Sequence, residues 1–209
     1  MLSLVLFIIY GIYHAQTLTF DDVVIANPQN FMKLQRAQLF KVIEEKHTCY
    51  VDSILIGSSS YIALPRPYQG YIFKRINTPY TGYIDDHVPV LNVSDFMINN
   101  PTYTFYQNSV ISQPNVIFTT GEDLSFFKSY NKFFYLTKLY MTSIFINNME
   151  VTITGYRNGR IIEARTINLI VSTPSEVILN LKNVDTVVIG CTNPEPSTCA
   201  HIAYDNIQL

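Results

Sequence analysis

The chain has 209 residues, 48% of them hydrophobic and 14% charged, with a formal net charge of −2. That apolar share can build a sizeable core and argues against disorder, the length suits one domain, and the charge leaves no basic footprint for nucleic acid. Fifteen Tyr and thirteen Phe, with no Trp, go with many β-branched residues in the second half, a composition that strands prefer.

In chain order, residues 1–15, MLSLVLFIIYGIYHA, open on an apolar run too short for a membrane span, which needs roughly 20 residues. The run reads as a signal-peptide core with cleavage after Ala15. Residues 16–209 are then expected to form one secreted domain with no membrane span left. No Lys or Arg precedes the run, and Tyr13 is large for its place before the cut. The alternative is an uncleaved anchor.

LTFDDVVI, Leu18 to Ile25, reads as a strand with an acidic pair. Residues 28–46 follow, where Phe31, Leu34, Leu39, Val42 and Ile43 keep rough helical spacing and predict one short helix. Its basic residues, Lys33, Arg36, Lys41 and Lys46, are expected on a solvated face. YVDSILIG reads as a strand and GSSS as a turn. Next comes a stretch dense in Pro, Gly and Tyr, carrying Tyr68, Tyr71, Phe73, Tyr80 and Tyr83. Its punctuation forbids long regular elements, and loops that display aromatics often carry function.

From Ser94 onward the texture is of successive strands: FMIN, TYTFYQ, NVIFTT, DLSFFKSY and LTKLYMTSIFIN. In MEVTITGYRNGRIIEARTINL, Met149, Val151 and Ile153 alternate with Glu150, Thr152 and Thr154. Asn158-Gly159 supplies a type I′ turn, so this segment reads as a hairpin. SEVILNLKN, DTVVIGC and the terminal HIAYDNIQL complete the set, with Ile202, Tyr204, Ile207 and Leu209 as core candidates of the last strand. Many short strands separated by turns predict an all-β antiparallel sandwich or jelly roll.

Three cysteines, Cys49, Cys191 and Cys199, suit an oxidising compartment. Cys191 and Cys199 flank a short Pro-containing loop, and their disulfide would add roughly 2–3 kcal/mol. Cys49 would then be buried and free or would bond another chain; its pairing with either of the others is the rival arrangement. No CxxC or HxxxH spacing suggests zinc. Asn92-Val93-Ser94 is a glycosylation sequon, whereas Pro101 blocks the one at Asn100. Asp85-Asp86-His87 holds acid–base residue types, but adjacent strand residues point to opposite faces and no G-x-S-x-G elbow appears. A non-catalytic protein is therefore expected.

Taken together, TFDD (Thr19 to Asp22), Tyr68-Gln69-Gly70-Tyr71, Thr81-Gly82-Tyr83, NSVISQPNVIF, F-x-x-S-Y (Phe126 to Tyr130), VTITGYRNG, Val184 to Val187 and the closing YDNI resemble a family of secreted, uncharacterised β-sandwich domains similar to carbohydrate-binding and galactose-binding-like jelly rolls. The final IAYDNIQL also resembles the closing strand of MAM-type domains. The likeness spans most of residues 16–209 apart from 27–60. It implies that the first and last strands lie side by side and that acidic residues from both ends, Asp21, Asp22 and Asp205, contribute to a structural Ca²⁺ site. Such an ion needs six to eight oxygens, so backbone carbonyls would have to join. The alternative is that one Asp caps a turn and the others face water. The likeness further implies a glycan or glycoprotein partner, and the tyrosine-rich loops nominate Tyr71, Tyr80, Tyr83, Asp85 and Asp86 as ligand-binding residues. Tyr68, Tyr71 and Phe73 covering the core is the competing possibility. A structural or interaction protein of the matrix or cell surface is the alternative function. The motif Gly70-Tyr71-Ile72-Phe73 lacks the Trp usual in that family.

Overall fold

The computed structural model describes residues 16–22, 61–76, 88–93, 108, 111–112, 115–120, 123–128, 132–191 and 201–209. Among them the chain forms β1 (Thr17–Leu18), β2 (Tyr61–Ala63), β3 (Tyr71–Ile76), β4 (Pro89–Asn92), β5 (Asn115–Thr120) and β6 (Asp123–Lys128). It continues with β7 (Phe134–Ser143), β8 (Met149–Arg157), β9 (Arg160–Leu169), β10 (Ser175–Val184), β11 (Thr186–Cys191) and β12 (His201–Gln208). One sheet runs β10-β7-β12-β5-β4-β2 with β1 against β12, and the other runs β3-β6-β11-β8-β9. Every named strand pair is antiparallel. The fold is the expected all-β antiparallel sandwich. Most connections cross between the sheets, as in a jelly roll.

Alternation drives this arrangement. β3 buries Tyr71, Phe73 and Arg75 and leaves the residues between them partly open. β8 does the same with Met149, Val151 and Ile153. The hairpin turns at Asn158 (φ 49°) and Gly159 (φ 73°), as the type I′ geometry requires. Between the sheets Phe20, Phe73, Phe126 and Phe134 form a chain of ring contacts with centroids 5.2–5.9 Å apart. Each such ring contributes roughly 1.5–3 kcal/mol by leaving water.

β12 is the spine of its sheet. β7 flanks one side, while β5 pairs the other side up to Tyr204 and β1 pairs it at Ile207 and Gln208. Ile202, Tyr204, Ile207 and Leu209 all belong to the core, as the alternation predicts. The Asp-Asn step is where the strand changes partner: the β7 register shifts after Asp205, and Asn206 takes φ 46°. First and last strands do lie side by side. The first is shorter than Leu18 to Ile25, however, because Phe20 turns at φ 65° and a turn follows at Asp21–Asp22. The expected signal segment 1–15, helix 28–46, Cys49 and the strands at 50–57 and 96–107 lie outside the described residues, as do Ser109, Val110, Gln113 and Pro114. Among the described residues no helix is long and apolar enough to cross a membrane.

Candidate functional site

The expected ligand residues fare unevenly. Tyr80, Tyr83, Asp85 and Asp86 lie outside the described residues. Tyr71 is a correction: it is 2% exposed, packs edge-on against Phe134 at 5.4 Å, and so has no open ring for a ligand. Its position on β3 points it inward, and burial raises its phenol pKa. Tyr68 is buried too, stacked on Phe20 at 5.2 Å. Its hydroxyl donates to Asp22 Oδ1, and burial, followed by that carboxylate, raises its pKa. Tyr68, Tyr71 and Phe73 therefore cover the core.

The three carboxylates expected to hold calcium have separate partners. Asp21 Oδ1 faces the Asn115 N–H at 3.4 Å, and Asp22 takes the Tyr68 hydroxyl. Asp205 accepts the N–H groups of Ile111 and Ser112 and the Ser112 hydroxyl, each at 2.9 Å, and the Asn206 N–H at 2.7 Å. Its oxygens are thus met by four protein donors. Among the described residues no three His, Cys, Asp or Glu side chains converge as metal ligands. Burial pushes the Asp205 pKa up to about 6 against these four lowering contacts. Cys191 ends β11, half-buried, while Cys199 lies outside the described residues. Asn92 ends β4 opposite Asn115.

A different constellation gathers where β6, β8 and β10 end and β3, β7 and β9 begin. Phe134 points into the core, so Phe133 and Tyr135 on either side point out. They are 49% and 36% exposed, against 5% for Phe134. The Arg157 guanidinium lies 5.8 Å from the Phe133 ring centroid, and Lys182 Nζ lies 5.8 Å from that of Tyr135. Arg157 is fixed in place: its Nε donates to the Asn183 carbonyl at 2.6 Å and its Nη2 to the Lys182 carbonyl at 3.0 Å. This bond ties the β8–β9 turn of one sheet to the end of β10 in the other. Lys128 stands 5.5 Å from the Tyr71 ring, and Arg160 faces Arg157 across the hairpin. The result is an exposed two-ring shelf with a cation over one face of each ring. Aromatic faces attract cations, and they also accept the C–H faces of apolar or sugar rings.

The shelf is absent from the sequence expectations because KFFYL reads as one apolar run. The signal available was phase: in FFYL the inward residues are Phe134 and Leu136, which leaves two aromatics on the outer face.

No family model and no curated protein matches the chain. Solved structures do resemble it. A mutant of CBM29-2, a family 29 carbohydrate-binding module, is 13% identical, covers 44% of this chain and 69% of that one, with a TM-score of 0.35. CBM32-2 of GH31, bound to GalNAc, is 19% identical, covers 43% and 64%, with a TM-score of 0.31. CBM36 in complex with calcium and xylotriose is 13% identical, covers 48% and 82%, with a TM-score of 0.29. These neighbours are carbohydrate-binding modules.

Proposed function

We propose that the protein is a non-catalytic module that binds glycan on the Phe133–Tyr135 shelf. The observation that carries this is the pair of rings turned outward at i and i+2 of one strand, with a cationic donor over one face of each. A pyranose lays its C–H face on an aromatic ring, while hydroxyls take hydrogen bonds from charged or amide groups. Rings two residues apart on a strand stand roughly 7 Å from each other, a spacing suited to neighbouring sugar units. Arg157 and Lys182 supply the donors. The shelf replaces the buried Tyr71 in this role. Secretion belongs to the same proposal and is supported by residues 1–15 alone. A glycan array with the full chain, repeated with Phe133→Ala and Tyr135→Ala, tests it. Selective binding lost in either variant supports the shelf, and binding unchanged in both moves the site elsewhere.

One observation favours the second reading, an interaction protein. β9 is the edge of its sheet, and its residues from Arg160 to Thr166 are all exposed. A second copy is the partner that fits. Antiparallel pairing about Ala164 sets Glu163 of each copy against Arg165 of the other, two opposite-charge pairs from one symmetric contact. Arg165 already gives one N–H to the Ile178 carbonyl and keeps others. Sedimentation equilibrium decides it: a dimer abolished by Ala164→Pro supports this reading, and a monomer at every concentration removes it.

A further inference from the structure

The shelf sits at a predominantly positive end of the sandwich. Lys128, Arg157, Arg160 and Lys182 come from β6, β8, β9 and β10, whose antiparallel pairing brings them to this end, and Lys132 precedes β7 there. None of the five forms an ion pair among the described residues, whereas Lys138 is bridged to Glu176. The carboxylates near this end keep their charge but are fewer than the cations: Asp185 accepts the Asn158 N–H, Asp22 accepts the Tyr68 hydroxyl, and Glu163 lies opposite Gly155 on β9. Asp123, Glu150 and Glu176 lie toward the opposite ends of their strands. Among the described residues this end therefore carries more positive than negative charge around the exposed Phe133 and Tyr135, in a chain whose net charge is −2. Like charges held together cost stability unless a counter-charge arrives.

We propose that the ligand is an acidic saccharide, with sugar rings on Phe133 and Tyr135 and sulfate or carboxylate groups at Lys128, Lys132 and Arg160. This rests on the glycan-binding reading above and specifies its substrate class. The division of labour is chemical. The rings read C–H faces whatever the charge, whereas ammonium and guanidinium groups reward anionic substituents. Lys132 and Arg160 are exposed, so their removal leaves the fold intact.

The test is titration calorimetry of the full chain with one oligosaccharide in sulfated and unsulfated forms, and with polyglutamate as an anion lacking sugar rings. In about 0.15 M salt, where screening acts within ~8 Å, the sulfated form is expected to bind at least ~10-fold tighter, equivalent to about 1.4 kcal/mol. In the triple variant Lys128→Gln, Lys132→Gln, Arg160→Gln that preference disappears while the unsulfated form still binds. Equal affinity for both forms overturns the acidic specificity and leaves glycan binding standing. Polyglutamate binding as tightly as the sulfated sugar overturns a saccharide site in favour of plain polyanion attraction. No binding of either sugar overturns both readings. A melt of the triple variant matching the parent shows that any loss is not unfolding.

Discussion

Asp205 Oδ2 accepts the Ser112 N–H at 2.9 Å across 93 residues of chain. The pair fastens the segment before β5 to the step where β12 exchanges β5 for β1. A carboxylate is acceptor-only and suits four donors, whereas an amide places an NH₂ against at least one N–H. Asp205→Asn is therefore expected to cost roughly 1–3 kcal/mol, and Ser112→Ala about 1 kcal/mol. Urea unfolding of both variants checks the order. An Asp205→Asn protein as stable as the parent would contradict the clasp.

Two buried groups set the acid response with opposite signs. Asp205 is raised from 3.8 to about 6, chiefly by burial, and His201 is lowered from 6.5 to about 3 by burial. Between pH 4 and 6 the folded state holds a proton on Asp205 that the unfolded state has released. That contribution to stability falls as pH rises. Over the same window the unfolded state holds a proton that folded His201 refuses, so the His201 contribution rises with pH. Each slope is about 1.4 kcal/mol per pH unit, and in the parent they offset. Relative to the parent, Asp205→Asn should gain stability as pH goes from 4 to 6, and His201→Gln should lose it. Parallel curves for all three proteins would show that neither group titrates differently on folding.

Gly155 of β8 lies where the two sheets approach. A Cβ there would sit 3.0 Å from Val184 Cγ1 and 3.2 Å from both Leu181 methyls. These are core atoms of β10 with little room to retreat. Gly155→Ala is expected to destabilise by roughly 1–3 kcal/mol through overpacking, read as a lower Tm. A raised Tm would mean that the inter-sheet spacing relaxes without cost.

The legible parts of the fold are those where period decides structure. β8 alternates as far as Tyr156 and β10 as far as Leu181, the Asn158-Gly159 turn joins β8 to β9, and NVIFTT and DTVVIGC coincide with β5 and nearly with β11. Where period and composition disagree, the sequence misleads. Tyr71 follows a Gly in a Pro- and Tyr-rich stretch and invites a loop role, yet it begins a strand and points inward. Asp205 carries three contacts from Ile111 and Ser112, 94 and 93 residues away in sequence, beyond any local pattern. The cationic end is a product of topology, since its five basic residues are scattered from 128 to 182 and meet through strand pairing.

The most direct measurement of the central claim is the affinity of one glycan, selected on the array, for the parent and for Phe133→Ala and Tyr135→Ala. The shelf predicts a loss of at least ~10-fold in each variant, with unchanged melting curves because both rings are exposed. Undiminished affinity in both variants would contradict it.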